Sequence, residues 1–147
     1  SWWWQKRYKT SFLMKPPSRD SCWNYNATVT RVVDGDTFDC EIDLGFDLTK
    51  KERIRLAGID TPESRTRDLE EKAMGLEAKE YLSMRLKACK KVIVKTEKDG
   101  KYGRMLGWLY DEDHNINEDM ILLGYAWKYD GGKKEKSLEE LRAKRNG

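Results

Sequence analysis

Three short segments of this 147-residue chain concentrate acidic and basic side chains: Asp34-Gly35-Asp36-Thr37, Arg55 through Asp60-Thr61-Pro62-Glu63, and Lys101-Tyr102-Gly103-Arg104. Taken alone, each has an ordinary explanation, because Asp-Gly is a common turn pair and Asp-Thr-Pro suits the exit from a strand. Taken together, they offer carboxylates for a hard cation, a base for water and fixed cations for a phosphate. Phosphodiester hydrolysis needs those parts when histidine does not serve. Asp36, Asp60 and Glu63 would repel one another if brought together, and a divalent cation would offset that repulsion. Oxygen-only ligands favour calcium or magnesium over zinc.

The rest of the composition removes competing chemistries. His114 is the sole histidine, within the polar stretch Asp111-Glu112-Asp113-His114-Asn115, so a Ser/His/Asp triad and a multi-histidine metal site are both excluded. Cys22, Cys40 and Cys89 lack CxxC spacing and are odd in number, which argues against zinc and against a disulfide framework. Charged residues make up 37% of the chain, and no apolar run approaches the roughly 20 residues of a membrane span, so a soluble protein is expected. The net charge is +3, yet residues 1–24 alone carry +4, leaving −1 for residues 25–147. An electropositive site on the domain must come from placement rather than excess.

The elements that would position these residues follow from periodicity. Residues 1–24 mix Trp2-Trp3-Trp4, Tyr8, Phe12 and Trp23 with basic residues and Pro16-Pro17, without a sustained period, and read as an aromatic and basic extension suited to nucleic-acid capture. Residues 25–147 read as one domain. Thr28 to Val33 and Thr37 to Leu44 flank the Asp34-Gly35 turn as a hairpin. Phe38, Cys40, Ile42 and Leu44 alternate with acidic residues, which makes Cys40 a core thiol. Arg53 to Ile59 is expected as a third strand, followed by a polar loop to about Asp68. A helix comes next, with Met74, Ala78, Tyr81, Leu82 and Cys89 on one face and Glu80, Ser83 and Lys87 opposite. Lys91 to Glu97 and Arg104 to Tyr110 form a strand pair about Asp99-Gly100, with Trp108 read as core. Helices are expected over Asn117 to Leu123 and Lys136 to Lys144, separated by Gly124 and Gly131-Gly132. The order suits an α+β fold, a five-stranded β-barrel of the OB type with three helices. Other α+β arrangements share the same periodicity.

Val32-Val33-Asp34-Gly35-Asp36-Thr37, Ile54-Arg55-Leu56-Ala57-Gly58-Ile59-Asp60-Thr61-Pro62-Glu63 and Asp99-Gly100-Lys101-Tyr102-Gly103-Arg104 resemble, in order and spacing, the motifs of the staphylococcal nuclease (thermonuclease) family, over roughly Thr28 to Arg145. The resemblance implies that Asp36, Asp60 and the carbonyl of Thr61 hold Ca2+. It makes Glu63 the residue that holds and activates the attacking water, and Arg55 and Arg104 the pair that grips the phosphate in its pentacoordinate transition state. Lys101 and Tyr102 match positions that contact the terminal phosphate and nucleotide, and Tyr129 lies in a region that aligns with a base-stacking tyrosine. The implied reaction cleaves DNA and RNA at the 5′ P–O bond and leaves 3′-phosphate ends, and a monomer is expected.

The chain departs from the family in three places. The link from Gly45 to Lys51 is longer and is expected to reshape the rim of the site, the sequence ends at Arg145-Asn146-Gly147 without the family's apolar ending, and the tryptophan-rich extension has no counterpart. Two rival readings remain. A noncatalytic OB-fold module binding single strands would not need the carboxylates. A protein-interaction domain with surface ion pairs gives no reason for Asp36, Arg55, Asp60, Glu63 and Arg104 to fall in this order.

Overall fold

The computed structural model describes residues 24–88, 92–98, 105–111, 114–130 and 136–147. Residues 1–23, Cys89, Lys101, Tyr102, Arg104 and the turns expected at Asp99-Gly100 and Gly131-Gly132 lie outside them. The described elements run β1 (Asn24–Asp34), β2 (Thr37–Gly45), β3 (Leu48–Leu56), β4 (Ile59–Asp60), α1 (Leu69–Ala88), β5 (Val92–Lys98), β6 (Met105–Asp111), β7 (His114–Asn115), α2 (Ile116–Leu122), β8 (Trp127–Lys128) and α3 (Leu138–Asn146).

Alternation drives the sheet. In β2, Phe38, Cys40 and Ile42 turn inward while the acidic residues between them face out. In β3, Ile54 and Leu56 are fully buried, which sends Arg53 and Arg55 to the opposite face. β1 pairs antiparallel with β2 and with β5, β2 with β3, and β5 with β6. A parallel pairing of β3 with β6, in the register Ile54↔Met105, Arg55↔Leu106 and Leu56↔Gly107, closes the ring. The result is the expected closed barrel of five strands with three helices.

α1 begins where Asp68 accepts hydrogen bonds from the Glu70 and Glu71 amides at 3.0 and 3.3 Å, and it lays Met74, Ala78, Leu82 and Leu86 along one face. Ala78, Leu82 and Leu86 join Phe38, Ile54, Leu56, Val94 and Leu109 in the core, along with Ile116 and Met120 of α2. Each large apolar side chain buried there contributes about 1.5–3 kcal/mol. The polar member of this region is Asn117, fully buried at the start of α2. Its amide donates to Ala57 O at 2.8 Å and Gly107 O at 3.1 Å, and its carbonyl accepts from Leu109 N at 3.0 Å.

Several sequence expectations are corrected. The third strand does not run through Ile59: it ends at Leu56, and Gly58 adopts φ +74, with the Trp108 ring so close that a Cβ on Gly58 would lie 2.9 Å from it. Ile59 and Asp60 instead pair with Lys128 and Trp127. Trp108 is half-buried over this turn rather than part of the main core cluster. The link from Gly45 to Lys51 does not reshape the site. It forms the tip of the β2–β3 hairpin, turning at Phe46 and Asp47 with φ 54 and 59. At about 3.3 Å per residue that tip stands some 25 Å along β2 from Thr37. β1 starts at Asn24, four residues before the expected Thr28, and His114 belongs to a short strand rather than a turn. α3 starts two residues later than expected because Ser137 caps it. Among the described residues no helix is long and apolar enough to cross a membrane.

Candidate active site

The β1–β2 turn, the end of β3 and the loop after β4 converge on one polar cleft of about 230 Å³, bounded by Asp34, Asp36, Thr37, Arg55 and the segment from Asp60 to Glu63. The backbone fixes the parts in place. Leu56 N donates to Asp36 O at 2.7 Å, so the turn and the strand end move as one, and the Ala57 amide donates to Gly107 O at 2.9 Å across the closing seam. Arg55 projects from the outer face of β3 into the cleft. Its Nη2 lies 3.6 Å from Asp36 Oδ2 and 3.5 Å from Asp60 Oδ1, so one guanidinium nitrogen serves two carboxylates. Thr37 Oγ1 donates to Asp36 Oδ1 at 3.1 Å, and Lys136 Nζ meets Asp60 Oδ2 at 2.5 Å.

Glu63 stands exposed at the mouth on a loop pinned from several sides. Its amide donates to Glu71 Oε1 of α1 at 3.3 Å, and the Ser64 hydroxyl donates to the Asp34 carboxylate. Gly75 lets α1 approach this loop, since a Cβ there would fall 2.6 Å from Pro62 O and 2.8 Å from Ser64 N. Partial desolvation by the cleft wall pushes the Glu63 carboxyl above the usual carboxylate range although the residue is exposed, and Asp36, Asp34 and Asp60 add to the rise against the pull of Lys136. Asp36 is raised too, by burial first and by Asp60, with Arg55 opposing. Lys136 is raised above the ordinary lysine value by its hydrogen bond to Asp60.

These shifts describe a site short of positive charge. Asp36 and Asp60 share one arginine nitrogen, with a lysine ammonium on Asp60 besides, while Asp34 and Glu63 add two further carboxylates to the same cleft. Asp36, Asp60 and the main chain of buried Thr61 make an oxygen-only donor set, which fits a hard divalent cation. Among the described residues, no three His, Cys, Asp or Glu side chains are gathered as a metal cage, so waters and substrate oxygens would have to complete the shell.

Of the residues singled out from sequence, Asp36, Arg55, Asp60, Thr61 and Glu63 come together around this cleft. Tyr129 joins them, its ring centroid 5.5 Å from Arg55 Cζ and its amide donating to Gly58 O at 2.9 Å. Lys101, Tyr102 and Arg104 are outside the described residues. Sequence reasoning missed Lys136, Glu71 and Ser64. Lys136 reads as one more lysine of Lys133-Lys134-Glu135-Lys136, and nothing in that run points to Asp60.

Comparison with known proteins shows the family. The family model described as Staphylococcal nuclease homologue matches residues 53–146. The chain belongs to the staphylococcal nuclease family. The family match takes in Arg55, Asp60, Thr61 and Glu63 and begins after Asp36. Among curated staphylococcal nuclease relatives, an "Uncharacterized endonuclease" of Escherichia coli O157:H7 is 36% identical over 110 residues, covering 74% of this chain and 64% of the relative. "Staphylococcal-like nuclease CAN1" of Arabidopsis thaliana is 41% identical over 105 residues, covering 68% of this chain and 30% of the relative. "Endonuclease YhcR" of Bacillus subtilis is 34% identical over 122 residues, covering 78% of this chain and 10% of the relative. The chain thus spans less than two thirds of the length of each of these three relatives.

Proposed function

We propose that this chain is a calcium-dependent nuclease that hydrolyses phosphodiester bonds of DNA and RNA. The observation that carries the reading is Arg55 bridging Asp36 and Asp60 in a polar cleft with Glu63 at its mouth. Asp36, Asp60 and the Thr61 carbonyl would hold the cation, which when bound supplies positive charge to the scissile phosphate and offsets the carboxylates. Arg55 donates hydrogen bonds to the phosphoryl oxygens, and their strength grows as negative charge accumulates there in the transition state. Arg104 is assigned the second such role by the family motif. Glu63 accepts a proton from the attacking water at the mouth of the cleft. Tyr129, stacked against Arg55, limits where that guanidinium swings and offers a ring face to a base. The family resemblance implies 3′-phosphate products.

The experiment is incubation with plasmid and with RNA, with calcium and with excess chelator, followed by gel analysis and end-group mapping. Calcium-dependent fragments with 3′-phosphate ends are expected, together with their loss in Glu63→Gln and Arg55→Ala. Binding without cleavage would make the chain a noncatalytic module, and full activity in chelator would overturn the calcium assignment.

A further inference from the structure

Lys136 is the residue just before Ser137, the cap of α3. The Ser137 carbonyl accepts from Trp127 Nε1 at 3.0 Å, and Trp127 pairs directly with Asp60 across β4 and β8. The backbone beside the lysine is therefore tied to the residue facing the carboxylate that its side chain meets. Asp60 is 8% exposed, and its two oxygens have different cationic partners: Oδ1 has Arg55 Nη2 at 3.5 Å and Oδ2 has Lys136 Nζ at 2.5 Å.

A divalent cation that ligates Asp60 competes with both of these partners for the charge of the carboxylate. Arg55 is the harder to move, because its strand closes the barrel, a second carboxylate holds it and Tyr129 lies against it. Lys136 has a flexible stem, is half-exposed, and can return its ammonium to water. We infer that Lys136 is an internal counter-ion that competes with the bound cation for Asp60 and so sets the affinity of the site for that cation. The inference rests on the calcium reading above. With the lysine in place, Asp36 and Asp60 are matched by two positive side chains, with Asp34 and Glu63 beyond them in the cleft; without it, one more negative charge is uncompensated and the cation is drawn in more strongly. The ammonium thus weakens cation binding while keeping the carboxylates from repelling one another when calcium is scarce.

The test is calorimetric titration of the full chain with calcium chloride, in the absence of nucleic acid, for wild type, Lys136→Gln, Lys136→Arg and Asp60→Asn. Lys136→Gln is expected to bind calcium about fivefold more tightly, from the loss of an ion pair worth on the order of 1 kcal/mol. Lys136→Arg should stay near wild type, and Asp60→Asn should bind much more weakly. In thermal melts, calcium should raise the Tm of Lys136→Gln more than that of wild type. A Lys136→Gln affinity equal to or below wild type, with Asp60→Asn impaired as expected, overturns the inference and leaves the calcium site standing. No calcium binding by the wild-type chain at millimolar concentration overturns the calcium site and the inference together.

Discussion

Replacing Asn117 by alanine tests whether one buried side chain holds the turn between Arg55 and Asp60. Its amide group satisfies Ala57 O, Gly107 O and Leu109 N at 2.8, 3.1 and 3.0 Å, and none of the side chain is exposed. Gly107 O keeps a partner after the substitution, because it also accepts from Ala57 N at 2.9 Å. Ala57 O and Leu109 N lose the amide, and each buried polar group left unsatisfied costs about 1–3 kcal/mol. The expected loss is therefore about 2–6 kcal/mol, a large share of the roughly 5–15 kcal/mol that holds a typical domain together. Urea unfolding followed by tryptophan fluorescence measures it, with a midpoint lowered by roughly 1–2 M at unchanged slope. The fraction that stays folded should also lose kcat, because Ala57 and Gly58 connect the arginine to the carboxylate it bridges. A stability change below about 1 kcal/mol would refute the reasoning, since a water or a shifted chain would then be satisfying both groups.

Arg55→Lys should lower kcat on a short oligonucleotide by about 100-fold or more, and Arg104→Lys by on the order of 1000-fold, because an ammonium lacks the two-donor fork; a rise in KM alone would make either residue a binding group only. Cys40, fully inside β2 with its thiol pushed up to about 11 by burial, should resist iodoacetamide at pH 8 in the native protein and react once urea unfolds it, as read by peptide mass spectrometry. Changing Phe46-Asp47 to Asn-Gly should raise stability by about 1 kcal/mol, since both positions have positive φ and Phe46 is 97% exposed; an unchanged or lowered Tm would contradict a strained tip.

The parts of the fold legible in the sequence are those with a local period or a linear motif. The alternation from Phe38 to Ile42 and the spacing of Met74, Ala78 and Leu82 each encode a buried face directly, and the structure buries those faces. Asp36, Arg55, Asp60 and Glu63 were legible because their segments keep a recognisable order. Lys136 was not, since its partner is 76 positions away and an exposed lysine carries no periodic signal. Asn117 reads as one more polar residue at a helix start, although its role depends on main-chain groups of β6 and of the turn after β3, 60 positions away. The link from Gly45 to Lys51 was legible but its tight turn at Phe46-Asp47 was not, because phenylalanine is no usual turn former, and the break at Gly58 escaped because a single glycine in an apolar run does not announce where pairing changes.

The parallel seam between β3 and β6 also has a kinetic meaning. It joins Ile54 to Met105, partners 51 positions apart, and closing so long a loop carries an entropic penalty that local contacts do not. Asp36, Arg55, Asp60 and Glu63 all emerge early in synthesis, whereas β6, the indole of Trp127 and Lys136 follow much later. A chain caught before closure holds the reactive side chains but not the seam that fixes Arg55 or the short strand that holds Asp60. The contact that closes the barrel is therefore also the one that seats Arg55 beside its two carboxylates.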